Sequence, residues 1–110
     1  MDEQDFRRKA DAALESLKRS LMAAEDQADI EVEDQAGALH ICFEDPPAKF
    51  VISPQSATGQ IWISALSTSF KLDWSDAAND FVFTKTGERL KALMARLINE
   101  QLGEQAVTLT

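Results

Sequence analysis

The feature that most constrains the fold is a hydrophobic period that changes from helical to alternating and back to helical. Apolar residues recur every three or four positions over residues 4–24, and alternate with polar ones in short runs between residues 30 and 83. Helical spacing returns after residue 86. A strand with alternating polarity and a helix with one apolar stripe each bury a single face, so both need a partner layer.

This pattern predicts two helices, one over residues 4–24 and a second that Thr86 or Gly87 precedes and whose end Gly103 marks. Glycine, proline and polar turn residues break the segment between them into six apolar runs. The breaks after the first three runs are Asp34-Gln35-Ala36-Gly37, Asp45-Pro46-Pro47 and Pro54. We therefore predict strands around residues 30–32, 39–43, 50–52, 61–63, 70–74 and 81–83, and an extended tail over residues 106–109 that packs back on the core.

Helix, consecutive strands and helix, joined by short connections, favour an antiparallel sheet with both helices on one face. The predicted fold is an α+β two-layer sandwich with five to six strands. A chain of 110 residues holds one hydrophobic core, so we expect a single domain over residues 1–110.

The charge is concentrated in one place. The chain has 11 basic and 19 acidic residues, a net charge of −8. Residues 25–45, which we call the acidic stretch, contain no Lys or Arg and account for the whole imbalance. Their acids are Glu25, Asp26, Asp29, Glu31, Glu33, Asp34, Glu44 and Asp45.

Composition excludes several classes of function. The negative charge argues against a nucleic-acid-binding protein, because binding would oppose the field of the whole molecule. The single Cys42 excludes an internal disulfide and a multi-thiolate zinc site. The acidic start predicts no signal peptide or presequence, and no apolar run is long enough for a membrane span. We expect a protein of a reducing compartment.

The acidic stretch overlaps a predicted strand, which places Asp29, Glu31 and Glu33 on one face at steps of about 7 Å. Such a row of carboxylates suits iron, but also Mg, Ca and Mn, and lacks the converging cage of a tight site. We expect any metal binding to be weak. The same row would also attract a basic protein partner, and a merely solvated face is the simplest alternative.

Successive side chains of a strand point to opposite faces of the sheet. Trp62 lies between Ile61 and Ile63, so if the two isoleucines are buried, the indole is on the outer face. An exposed tryptophan is a candidate interface anchor, unless Gln60 or a loop partly covers it. Trp74 alternates with buried-type residues and is predicted to lie in the core.

His40 and Cys42 share one strand face, and we expect Glu31 and Glu33 beside them on the neighbouring strand. The spacing of about 7 Å is too long for a hydrogen-bonded Cys–His nucleophile. A transition-metal contact and half-exposed residues without chemistry both remain open.

These motifs, taken in order, resemble the frataxin family. Gln60-Ile61-Trp62-Ile63-Ser64 is similar to the family's tryptophan strand, and Gly37–Glu44 to its second strand. Asp73-Trp74 and Thr86-Gly87-Glu88-Arg89-Leu90 are similar to its fifth strand and the start of its last helix. The resemblance runs from about Phe6 to about Leu109 and implies the same helix–sheet–helix sandwich.

The resemblance also implies a role in iron–sulfur cluster assembly without catalysis by this chain. It implies weak binding of iron (Fe²⁺ or Fe³⁺) by an acidic ridge, and regulation of the cysteine desulfurase and its scaffold protein. The implied metal residues are Asp11, Glu15, Glu25, Asp26, Asp29, Glu31 and Glu33. The implied partner-binding residues are Gln60, Trp62, Glu31 and Glu33. Lys18 and Arg19 depart from the family's pattern, because bacterial relatives often carry acids there.

Two other functions stay open on sequence alone. One is an acidic interaction module without an iron role, and the other is a ferroxidase or iron-storage protein, against which the single His40 argues. We expect a monomer, with iron-dependent oligomers as the alternative. The expected compartment is the bacterial cytoplasm, or the mitochondrial matrix for a processed eukaryotic form.

Overall fold

The computed structural model describes residues 2–35, 37–44 and 47–109. Over these residues the chain forms one helix, then seven strands, then a second helix. In chain order, the elements are α1 (Glu3–Ala24), β1 (Ile30–Gln35), β2 (Ala38–Glu44), β3 (Pro47–Gln55), β4 (Gln60–Ala65), β5 (Thr68–Ser75), β6 (Asp80–Phe83), β7 (Glu88–Arg89) and α2 (Leu90–Leu102).

The helix ends follow local chemistry. The Asp2 side chain caps α1 by accepting a hydrogen bond from the Asp5 backbone N–H at 2.8 Å. Gly103 ends α2 in the left-handed conformation, with φ of 73°, as predicted for a glycine at this position. None of the described helices combines the length and apolarity needed to cross a bilayer.

The sheet is antiparallel throughout, and its strands lie side by side in sequence order from β1 to β7. Register places the apolar residues of neighbouring strands opposite one another. Val32 faces Ile41, Ile41 faces Phe50, and Ile61 lies between Pro54 and Leu72. These side chains form the inner face, which packs on both helices and is almost fully buried. We call the opposite side of the sheet the outer face.

The predicted α+β two-layer sandwich is therefore confirmed, but the predicted five to six strands are too few. The seventh, β7, has only two residues, which pair with Phe83 and Val82. Thr86 and Gly87 precede the second helix, as predicted, but β7 lies between them and the helix. Gly87 lies in a turn with φ of 80°, and Arg89 is extended, so α2 begins at Leu90.

The predicted end of the third strand at Pro54 is also wrong. Pro54 lies within β3 opposite Ile61, because its fixed φ is compatible with an extended strand and only its donor is lost. Pro47 is the first residue of β3, a position where proline is tolerated. Asp45 and Pro46 of that predicted break, and Ala36 of the predicted turn, lie outside the described residues.

The C-terminal segment packs back on the core, as predicted, and a buried asparagine holds it there. Asn99 on α2 accepts hydrogen bonds from the backbone N–H groups of Ala106 and Val107, both at 2.9 Å. Its amide nitrogen donates to the Val107 carbonyl at 3.1 Å. Val107 and Leu109 are thereby buried in the core.

Candidate metal and partner-binding surface

The acids of the predicted ridge fall into two groups at opposite ends of β1. The first group lines a shallow concavity of about 340 Å³ where α1 ends and β1 begins. It brings together three predicted metal residues, Glu25, Asp29 and Glu31, with Glu44 from β2. We call these four residues the terminal acidic group. Within the described chain none of them forms an ion pair with a basic side chain.

The second group lies in a cleft of about 210 Å³ between α1 and the turn that joins β1 to β2. It contains the predicted metal residues Asp11 and Glu15, one helical turn apart, together with Asp34. Lys18 also lines this cleft, and its Nζ lies 3.3 Å from Asp34 Oδ2. The lysine neutralises part of the charge here, so this group, called the helix acidic group, is the weaker candidate for a cation.

The two remaining predicted metal residues belong to neither concavity. Asp26 is exposed in the turn after α1. Glu33 lies on the outer face opposite His40 and accepts a hydrogen bond from the Gln35 side chain at 2.8 Å. The acids therefore follow the edge of the molecule and do not converge on one point.

Register places Cys42 opposite Glu31 and His40 opposite Glu33, so the predicted neighbourhood of these four side chains on the outer face is correct. The Nδ1 atom of His40 is buried and has no hydrogen-bond partner among the described residues. Across residues 2–35, 37–44 and 47–109, no set of three or more His, Cys, Asp or Glu side chains is arranged to hold a metal ion. Iron binding by the predicted residues therefore stays a prediction, and the row of carboxylates favours loose binding.

Trp62 lies on the outer face, as its parity predicts, but it is only half exposed. Its indole N–H donates to Gln60 Oε1 at 2.9 Å, and Gln60 donates in turn to Asp73 at 3.0 Å. The Lys71 ammonium sits 4.7 Å from the centroid of the ring. These contacts fix the orientation of the ring. A partner that contacts the indole would also meet the Lys71 ammonium beside it.

Trp74 points to the helix side of the sheet, as predicted. Its ring packs edge-on against the buried Phe81 at 5.2 Å between centroids. It keeps a partly exposed side, where Lys9 of α1 lies 4.7 Å from the ring centroid. Trp74 thus joins helix and sheet.

The far edge of the sheet carries a paired set of charges. Arg96 on α2 donates two hydrogen bonds to the Glu88 carboxylate, at 2.8 and 2.9 Å, and one to Glu100 at 3.1 Å. The hydrogen bond from Arg96 lowers the pKa of Glu88 below its ordinary value, against a smaller opposing effect of burial. The same partners raise the pKa of Arg96. This cluster fastens β7 to α2.

Sequence reasoning did not single out Asp34, Glu44, Lys18 or Asp73 as parts of these groupings. The alternation of side chains along each strand was the signal that could have placed them. Asp34 follows Val32 by two residues, so it lies on the helix side of the sheet, where Lys18 can reach it. Glu44 and Asp73 share the outer face with Cys42 and Lys71 in the same way. The partners themselves depend on register between strands.

The fold and surface define a class of protein: a two-layer α+β sandwich with an acidic edge and a tryptophan on the outer face of its sheet. The frataxin-like domain family matches residues 1–104 of this chain. The chain belongs to the frataxin family.

Its relatives include the iron–sulfur cluster assembly protein CyaY of Azotobacter vinelandii, which is 32% identical over 77 residues, covering 70% of this chain and 69% of that protein. The protein of the same name from Ralstonia nicotianae is 31% identical over 111 residues, covering 99% and 95%. Among solved structures, frataxin from Psychromonas ingrahamii matches with a TM-score of 0.84 at 20% identity, over 100% of this chain and 99% of that one.

Proposed function

We propose that this chain acts in iron–sulfur cluster assembly as a non-catalytic protein that binds iron weakly and regulates a cysteine desulfurase and its scaffold protein. The family membership and the names of the relatives support the assembly role. The single observation that carries the finer proposal is the terminal acidic group, four carboxylates without a basic partner in the described chain. The expected site of action is the cytoplasm of a bacterium.

The acidic edge is suited to docking. Unpaired carboxylates on an exposed edge repel one another, and they gain most when a basic surface or a cation approaches. The half-exposed Trp62, held by Gln60, offers a second and apolar contact on the outer face. We propose that the desulfurase and scaffold complex meets these two surfaces.

Replacement of Trp62 tests the docking part. The variant Trp62→Ala should bind the desulfurase and scaffold complex at least about tenfold more weakly, because aromatic anchors dominate interface energies. Met22→Ala is the matched control, since Met22 is an exposed apolar side chain on α1, 47% accessible. Equal affinities of the two variants would contradict a docking role for Trp62.

An anaerobic Fe²⁺ titration of isotope-labelled protein, followed by amide NMR, tests the iron part. The proposal predicts selective broadening at residues 25–34, with a weaker response to Ca²⁺. A response to iron no different from that to calcium would remove the iron role and leave an acidic interaction module. That second function is favoured by the Lys18–Asp34 ion pair, which occupies the cleft where a cation could bind.

A ferroxidase would need inward-facing carboxylates and histidine around a defined iron site. His40 instead lies in the outer-face row of β2, opposite Glu33. Measuring the oxygen consumed per iron, with and without the protein, tests this function. We expect no change on adding the protein, and faster stoichiometric consumption would contradict the non-catalytic proposal.

A further inference from the structure

The first strand of the sheet has a free edge. β1 is the terminal strand and pairs with β2 alone among the described strands. Its inward side chains, Ile30 and Val32, are 7% and 9% exposed, whereas Ile41 and Ile52 on the next two strands are fully buried. In an edge strand, every second residue points its N–H and C=O groups away from the sheet. β1 therefore presents an edge about 20 Å long. Every second residue along it offers its backbone groups, apart from the Ile30 N–H, which already donates to the Ala28 carbonyl at 2.9 Å.

Charge decides which strand could add to this edge. Glu31 and Glu33 project from the outer face of β1, and no basic side chain of the described residues pairs with them. If a second copy of the chain added through its own β1, these acids would lie opposite acids, which is unfavourable for a cross-strand pair. The edge is thus protected against self-association in the way that charged edge strands commonly are.

We propose that the free edge of β1 accepts an extended basic segment of the partner protein as an eighth strand. Lys or Arg at alternate positions of that segment would lie beside Glu31 and Glu33 on the outer face. Its other side chains would be apolar and would cover the exposed parts of Ile30 and Val32. This inference rests on the proposed docking function and adds how the docking occurs, by backbone pairing in addition to charge.

A synthetic peptide with alternating Lys and Val tests the proposal on the whole chain. The peptide should protect from hydrogen exchange those amides of β1 that point away from β2 and are not already hydrogen-bonded, and it should shift the NMR signals of residues 30–35. Two matched peptides carry N-methyl groups, one on the backbone nitrogen of every Lys and one on that of every Val. Both keep the charge, but only one of them loses the donors that face β1. We expect their affinities to differ by at least about tenfold, because a lost ladder of hydrogen bonds removes several contacts at once.

Charge specificity is tested with the same peptide and two variants of the chain. The double variant Glu31→Gln/Glu33→Gln should weaken peptide binding by about fivefold or more at low salt, and less at high salt. The control Glu100→Gln/Glu104→Gln, which removes two exposed acids at the end of α2, should leave the affinity unchanged. Equal affinities of the two methylated peptides would overturn the proposal, as would the absence of protection in β1 at millimolar peptide.

The partner complex separates this inference from the function on which it rests. If the desulfurase complex binds the chain but leaves the β1 amides exchanging at their free rate, docking stands and strand addition is wrong. If the complex does not bind at all, the proposed function fails, whatever the peptide does. Binding together with selective protection of β1 supports both.

Discussion

The two edges of the sheet carry acidic residues in opposite circumstances. At β7 the Glu88 carboxylate is held by two hydrogen bonds from Arg96, which also reaches Glu100. At β1 the terminal acidic group has no basic partner within the described residues. Paired charges fasten elements together, and unpaired ones cost self-repulsion in the folded state. The difference is what we expect if the β7 edge serves stability and the β1 edge, as proposed, serves contact with other molecules.

The largest loss of stability should follow replacement of Asn99, which holds the C-terminal segment against α2. Asn99→Ala removes three hydrogen bonds to the tail and leaves the buried Val107 N–H without its acceptor, whereas the Ala106 N–H keeps the Glu104 carbonyl at 3.0 Å. We expect a loss of about 2–4 kcal/mol in the free energy of unfolding, measured by urea denaturation. Gln105→Ala, an exposed change in the same segment, should have little effect. A similar loss in both variants would show that Asn99 has no special role.

The Glu88–Arg96 pair should contribute less, and in a pH-dependent way. Because the pKa of Glu88 is lowered in the folded state, the pair stabilises the fold above the ordinary value of 4.5, and this contribution is lost as the pH falls through the folded-state pKa. We expect Glu88→Gln to destabilise the protein by about 1 kcal/mol at pH 7, since both partners are partly exposed.

Denaturation at pH 7 and pH 3 checks this sign, because the difference between wild type and variant should shrink at pH 3. Glu100→Gln is the matched control, with one longer hydrogen bond to the same arginine. A constant difference across this range would mean that Glu88 acts through packing and not through its charge.

Neutralising acids at the β1 edge should instead raise the free energy of unfolding. Glu31→Gln/Glu33→Gln relieves repulsion, and we expect a gain of about 0.5 kcal/mol at low salt that disappears at high salt. Urea denaturation at two salt concentrations measures it. A loss of more than about 1 kcal/mol, on the scale of an ordinary intramolecular hydrogen bond, would show that these acids stabilise the fold and would break the comparison.

The smallest effect on stability should follow replacement of Lys18, the basic residue beside the helix acidic group. Lys18→Gln breaks an ion pair whose side chains are 27% and 47% exposed, worth at most about 0.5 kcal/mol. The affinity of the helix acidic group for Ca²⁺ or Fe²⁺ should instead rise by about threefold, as a nearby positive charge is lost. Shifts of the Asp34 amide during titration report it. Arg19→Gln, exposed and outside the cleft, should not change this affinity.

Most of the fold could be predicted from hydrophobic period, because each strand and helix buries one face and the parity of that face is written in the sequence. Parity also placed Trp62 on the outer face and Trp74 on the inner one. The hydrophobic pattern could not reveal β7, because two residues are too few to show a period. It also could not show that β3 continues through Pro54, because a proline is compatible with either a break or a strand.

The candidate site was less predictable. The acidic stretch was visible from composition, but its division into two groups depends on where α1 ends and on the pairing of Lys18 with Asp34, 16 residues away. The role of Asn99 depends on a tail that folds back from the far side of Gly103. Such contacts are set by register and chain reversal, which local patterns do not encode.

The central claim is that the β1 edge is a contact surface and not a structural one. The most direct test compares two charge reversals, Glu31→Lys/Glu33→Lys and Glu100→Lys/Glu104→Lys, for their affinity to the desulfurase complex across a salt series. We expect the first variant to lose most of its affinity together with the salt dependence of binding, and the second variant to keep both. Equal losses in the two variants would contradict it.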